Sequence, residues 1–99
     1  NPFSNILDGF HLNSIYPNPF NPEATIQFSM GEASFISIVV YDMKGRLVNT
    51  LANEVFPTGI HSIKWNGLMA NNENIPNGIY FINFQLSDRN FTRKISYIK

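Results

Sequence analysis

The chain has 99 residues, zero formal net charge and no cysteine, and 43% of its side chains are hydrophobic, including nine Phe, four Tyr and one Trp. That is one small domain with ample material for a core; the missing cysteines exclude a disulfide framework, a zinc ribbon and a thiol nucleophile. A balanced 14% of charged residues excludes the cationic excess of a nucleic-acid surface, and no apolar run approaches the ~18 residues that span a membrane.

Residues 1–9 read as a linker from an upstream domain, followed by one domain over residues 10–99. The N-terminus lacks the basic-then-apolar layout of a signal peptide, so an exported chain would carry its export signal upstream in a longer parent. Phe10 to Ser14 predicts a short strand. Tyr16-Pro17-Asn18-Pro19-Phe20-Asn21-Pro22 comes next. Each proline fixes φ and lacks an amide donor, and each pushes its predecessor toward extended geometry. This segment is therefore expected to be an ordered lead-in along a domain edge, packed through Tyr16 and Phe20, with Pro17, Asn18 and Pro19 serving stability.

Strict alternation in Ala24 to Met30 puts Ala24, Ile26, Phe28 and Met30 inward. Phe35 to Tyr41 follows, with Ile36, Ile38 and Val40 on one face. Asp42-Met43-Lys44-Gly45 then makes a hairpin into Arg46 to Leu51, with Gly45 free to take positive φ. Ile60 to Trp65 sets His61, Ile63 and Trp65 on one side, with Trp65 as a core anchor. Asn66 to Gly78, rich in Asn, is expected to be a solvated loop ending in the turn signature Ile75-Pro76-Asn77-Gly78. Ile79 to Leu86 carries large apolar groups on both faces and should be a central strand, with Ile79 and Phe81 buried against the opposite sheet. After a turn at Ser87 to Asn90, Phe91 to Lys99 forms a final strand that reaches the last residue. About seven antiparallel strands of this spacing predict an all-β, immunoglobulin-like sandwich.

Chemistry is sparse. His11 and His61 stand fifty residues apart with no carboxylate at relay spacing, and no nucleophile elbow or acid pair is present. The reading is of a non-enzyme without cofactor or metal. Glu73 is the only acid in the 66–78 loop, which is poor equipment for calcium. Arg89, Arg93, Lys94 and Lys99 make residues 89–99 basic, whereas residues 1–43 hold four acids and no Lys or Arg.

Several separated motifs carry a family resemblance. They are Asp8 to Leu12 with Tyr16 to Pro22, Val40 to Val48, Thr58 to Gly67, Asn77 to Phe81, and Thr92 to Lys99. In this order they resemble the C-terminal sorting domain on cargo of the bacterial type IX secretion system, which is related to the immunoglobulin-like domain of the flagellar hook-capping protein. The resemblance implies a non-enzymatic sorting signal on a secreted or surface-anchored protein that passes through the periplasm. Its partners would be the outer-membrane export machinery, a sortase-like protease and a cargo domain upstream in the same chain.

The basic closing strand, Arg93, Lys94, Ile95, Ser96, Tyr97, Ile98 and Lys99, is expected to be the recognition element, open to edge pairing or charge steering. Gly78 and Tyr80 would position its neighbour. Two other readings share the fold: a structural spacer or assembly module, and a carbohydrate-binding accessory domain of a larger extracellular enzyme.

Overall fold

Period-two alternation becomes seven strands in the computed structural model, which describes residues 9–87 and 89–99. They are β1 (Phe10–Tyr16), β2 (Ala24–Met30), β3 (Ser34–Asp42), β4 (Leu47–Phe56), β5 (Gly59–Trp65), β6 (Gly78–Gln85) and β7 (Asn90–Tyr97). Two sheets result, in the orders β1-β2-β5 and β4-β3-β6-β7, and every ladder between these strands is antiparallel. The expected sandwich is therefore the observed fold. The first eight residues of the expected linker lie outside the described residues.

The core fills the space between the sheets. Ala24, Ile26, Phe28 and Met30 of β2 face Ile36, Ile38 and Val40 of β3 and Tyr80, Ile82 and Phe84 of β6, and all are buried. Each large apolar side chain so buried contributes roughly 1.5–3 kcal/mol. Trp65 anchors one end of the core, as expected. Its indole N–H donates to Leu68 O at 3.0 Å, so the buried ring leaves no polar atom unpaired. β6 is central, between β3 and β7. Ile79 and Phe81, however, do not press on the opposite sheet. They alternate with buried Tyr80 and Ile82, which places them half-buried on the outer face of the four-stranded sheet.

Other departures have local causes. β1 runs two residues past Ser14, with a register shift between Leu12 and Ser14 that makes Asn13 an extra residue. β4 continues to Phe56 through two register shifts, which obscure its alternation. The final strand stops at Tyr97. The 66–78 loop is only partly solvated: Asn71 to Asn74 are exposed, but Ile75 is buried in the core and its N–H donates to Gly67 O at 3.1 Å. The β3–β4 turn forms as read, with Gly45 at φ 81° and Asp42 Oδ1 accepting the N–H groups of Lys44 at 2.8 Å and Arg46 at 2.9 Å.

Candidate functional site

β7 is an edge strand: one side of its backbone pairs with β6, and the other would present a row of open N–H and C=O groups. The proline segment closes most of that row. The Asn18 side chain accepts the Ser96 N–H through Oδ1 at 3.0 Å and donates to Lys94 O through Nδ2 at 3.4 Å. Phe20 then donates its N–H to Ser96 O at 2.9 Å and accepts the Ile98 N–H at 3.3 Å, making a parallel bridge to Tyr97. A carboxamide carries the same donor and acceptor as a peptide group, so Asn18 takes the place of a neighbouring strand residue. Pro17 and Pro19, which have no N–H, flank it, and all three X-Pro peptide bonds of the segment are cis. Edge pairing by a partner between Lys94 and Ile98, one of the routes expected from sequence, is thus already occupied.

Phe20 is also the anchor that the sequence suggested. It is 1% exposed, with ring centroids 5.0 Å from Trp65 and 4.9 Å from Tyr97. Tyr16 is not a second anchor: it ends β1 with about half its surface in solvent. Tyr80 packs edge-on against Trp65 at 5.7 Å and donates its hydroxyl to Pro76 O at 2.6 Å. Burial raises its pKa above the usual tyrosine value, with Asp42 and Tyr97 adding to the shift. Gly78, which starts β6 opposite Tyr97, has φ 154°, a conformation side-chain-bearing residues rarely take.

Tyr80, Ile95 and Tyr97 therefore form one buried cluster, with exposed Gly78 at its end opposite Tyr97, but the basic residues of the closing strand part company. Arg93 shares the inward face with Ile95 and Tyr97, and its guanidinium sits 5.0 Å from the Phe91 ring at the seam between the sheets. Arg89 reaches the same ring at 5.9 Å and donates to Phe10 O at 2.9 Å. Lys94 points outward opposite Phe81. Ser96 stands outward opposite Ile79, Ile98 is exposed, and the Lys99 N–H donates to Asn77 Oδ1 at 3.0 Å. The cations do not make a single patch, because strand alternation separates neighbours in sequence.

His61 is half-buried between Phe28 and Phe56, with Nε2 2.7 Å from Pro57 O, and His11 is exposed on β1. Among the described residues, no group of three His, Asp or Glu stands together as a metal site, and no helix is long and apolar enough to cross a membrane.

A family model described as the secretion system C-terminal sorting domain matches residues 14–99, the proline segment and β7 included. The chain belongs to that family. As a sorting domain it is a type IX secretion signal, which places it on a secreted or cell-surface protein with a cargo domain upstream and the secretion machinery as partner. The family is one of signals, not catalysts.

Among solved structures, the chain is similar to a domain of dimeric latent PorU from Porphyromonas gingivalis, at a TM-score of 0.72 and 21% identity over 90% of this chain and 9% of that one. It is also similar to part of PorZ, an essential surface component of the type IX secretion system of the same bacterium, at a TM-score of 0.60 and 21% identity over 87% of this chain and 11% of that one. The sorting domain spans about a tenth of each of those proteins, and at this identity they testify to the fold. No curated protein matches the chain.

Sequence reasoning singled out the proline segment and the closing strand as separate motifs. The chain itself brings them together through Asn18, a residue whose side chain resembles a peptide group and whose proline neighbours cannot donate. Gly67 and Ile75 were missed. A Cβ at Gly67, where φ is 72°, would sit 3.3 Å from the Tyr97 ring, and for Ile75 the signal in the sequence is a β-branched apolar residue directly after the exposed Asn71 to Asn74 run.

Proposed function

We propose that the export machinery recognises this sorting domain through its closing strand, Arg93 to Lys99, held in place by Gly78 and Tyr80 of β6 on one side and by Asn18 and Phe20 of the proline segment along the other edge. The observation that carries the reading is the double fixation of β7, by β6 on one side and by Asn18 and Phe20 on the other. A preorganised strand presents its side chains without an ordering cost at binding. The domain acts without catalysis or cofactor, its cargo crosses the periplasm before export, and a sortase-like protease removes the domain from the cargo at the surface. Residues 1–9 serve as the connection to that cargo.

Removing residues 93–99 is a poor test, since it strips Ile95 and Tyr97 from the core. Exposed positions serve better. A periplasm-directed fluorescent reporter fused to residues 1–99 should reach the surface or medium of a bacterium with the type IX machinery. The same fusion carrying Arg93→Ala, Lys94→Ala and Lys99→Ala should stay behind while its circular dichroism and melting remain those of a folded sandwich. Equal export of the two fusions would remove the closing strand from recognition.

A further inference from the structure

The two outer faces of the sandwich differ in character. On the three-stranded sheet, the outward positions hold Thr25, Gln27, Ser29, Ser62 and Lys64, with Asn13 donating to Ser29 Oγ at 2.9 Å and Lys64 3.6 Å from Glu23; its exposed large apolar residues among those described, Tyr16 and Ile60, stand on different strands and are not cross-strand partners. This is the ordinary solvated side of an antiparallel sheet.

The four-stranded sheet presents a different row. Leu47 of β4 stands opposite Tyr41 of β3, Tyr41 opposite Phe81 of β6, and Phe81 opposite Lys94 of β7. One step along, Ile79 lies opposite Ser96, and Ile79, Ser96 and Ile98 line one shallow depression. Leu47 is 61% and Ile98 54% exposed. Four strands thus contribute to a continuous apolar band with Lys94 at its margin. The acids of these strands, Asp42 and Glu54, pair across β3 ladders with Tyr80 and Ile36, positions of the inward-facing rows. Cross-strand apolar groups exposed in this way mark interaction surfaces.

We infer that the partner of this domain docks on the outer face of the four-stranded sheet, over Leu47, Tyr41, Phe81, Ile79 and Ile98, and does not add a strand to β7. This rests on the reading that the closing strand is recognised, and extends it to a surface that includes β4. Two observations select it. Asn18 and Phe20 occupy the β7 edge from Lys94 to Ile98, so backbone pairing there would first have to expel a segment anchored by the buried Phe20 ring. The open face beside that edge is apolar with a single cationic margin, which complements a protein surface that is itself apolar and carries a carboxylate opposite Lys94. The occupant is therefore a folded protein of that chemistry, not a second copy of this domain, whose own face, among the described residues, offers Lys94 no acid.

The deciding variant is Leu47→Glu, since Leu47 is exposed, lies on the band and is outside the closing strand. In the reporter fusion, Leu47→Glu and Ile98→Glu should each lower export roughly tenfold or more, as expected for charges placed in the core of an interface. Ile60→Glu, equally exposed on the other sheet, should export like the unsubstituted fusion. Melting curves confirm that each variant is folded, as its exposed position requires. Export of Leu47→Glu at the unsubstituted level would overturn the proposal even where the Arg93, Lys94 and Lys99 substitutions block export, which would leave the closing-strand reading intact. Failure of those three substitutions to reduce export would instead remove that reading, and this inference with it. A concentration-dependent dimer in sedimentation that Leu47→Glu abolishes would give the face to a second copy and also overturn the proposal.

Discussion

Asn18 and Ser96 are 78 residues apart in sequence, yet the side chain of one holds the backbone of the other at 3.0 Å. Asn18→Ala would leave the Ser96 N–H and Lys94 C=O to water, at a cost of about 1 kcal/mol. The distinguishing measurement is hydrogen exchange: the Ser96 amide should speed up markedly, while the amides that pair β7 with β6 change little. Asn18→Asp keeps the acceptor but loses the donor to Lys94 O, so it should rescue Ser96 protection in part.

Phe20 fastens the same segment by burial. Phe20→Ala should destabilise the domain by about 3–5 kcal/mol, the range for emptying a well-packed aromatic site. Phe20→Leu, which keeps much of the volume but loses the ring contacts with Trp65 and Tyr97, should cost less. Chemical denaturation measures both losses, and a Phe20→Leu midpoint equal to that of the unsubstituted domain would show that the aromatic geometry adds nothing.

Tyr80 gives the domain an alkaline limit. Its pKa is raised by burial, so the unfolded chain ionises first as pH climbs. The associated stability is fully present below the ordinary tyrosine pKa of about 10 and is lost as pH rises through the higher folded value. Tyr80→Phe should flatten that alkaline fall, and should lower stability at neutral pH by about 1 kcal/mol through loss of the bond to Pro76 O.

Asp42 acts at the opposite end of the scale. Hydrogen bonding by the Arg46 N–H is the leading cause that holds its carboxyl below the usual value; desolvation opposes it, and the Arg46 side chain and the Lys44 N–H outweigh that opposition together with it. Its stabilising effect is present above the unfolded aspartate pKa of about 3.9 and disappears as pH falls through the lower folded value. Asp42→Asn should weaken the β3–β4 turn at neutral pH and remove that part of the acid transition, as read from melting temperature against pH.

In the sequence, Gly67 stands out only as the last residue of the Thr58 to Gly67 motif. With φ at 72° and the Tyr97 ring 3.3 Å from where a Cβ would stand, Gly67→Ala should destabilise by more than the roughly 1 kcal/mol that Gly and Ala commonly differ by in strain-free settings. Gly45→Ala, with positive φ but open space around it, is the comparison that isolates the steric part.

Strands with clean alternation were legible at once: β2 falls on the expected residues, and the buried rows of β3 and β6 are those the apolar spacing picks out. β4 was cut short because its register shifts break the period on which the reading depends. The outer-face position of Ile79 and Phe81 was misjudged for a related reason. A strand apolar on both sides looks fully buried from sequence, and only the register shows that one side looks out. The relationship between Asn18 and β7 had no periodic signature, because it joins a side chain to a distant backbone.

Both charged devices at the sheet margins follow one rule. Arg93 on β7 and Glu54 on β4 occupy positions in the inward-facing rows of the two outermost strands, where a charge discourages a stray strand from adding to the sheet.

The bridge between Phe20 and Tyr97 also bears on how the domain is made. Trp65 and Phe20 are synthesised well before Tyr97, so the ring cluster and the sheet edge stay unfinished until the final strand emerges, and a contact of such long sequence separation forms late. A chain cut before Ile95 would lack the Ile95 and Tyr97 side chains that the core buries, and Phe20 would have no strand to bridge. Completion of this bridge therefore certifies that the whole polypeptide ahead of it has been translated.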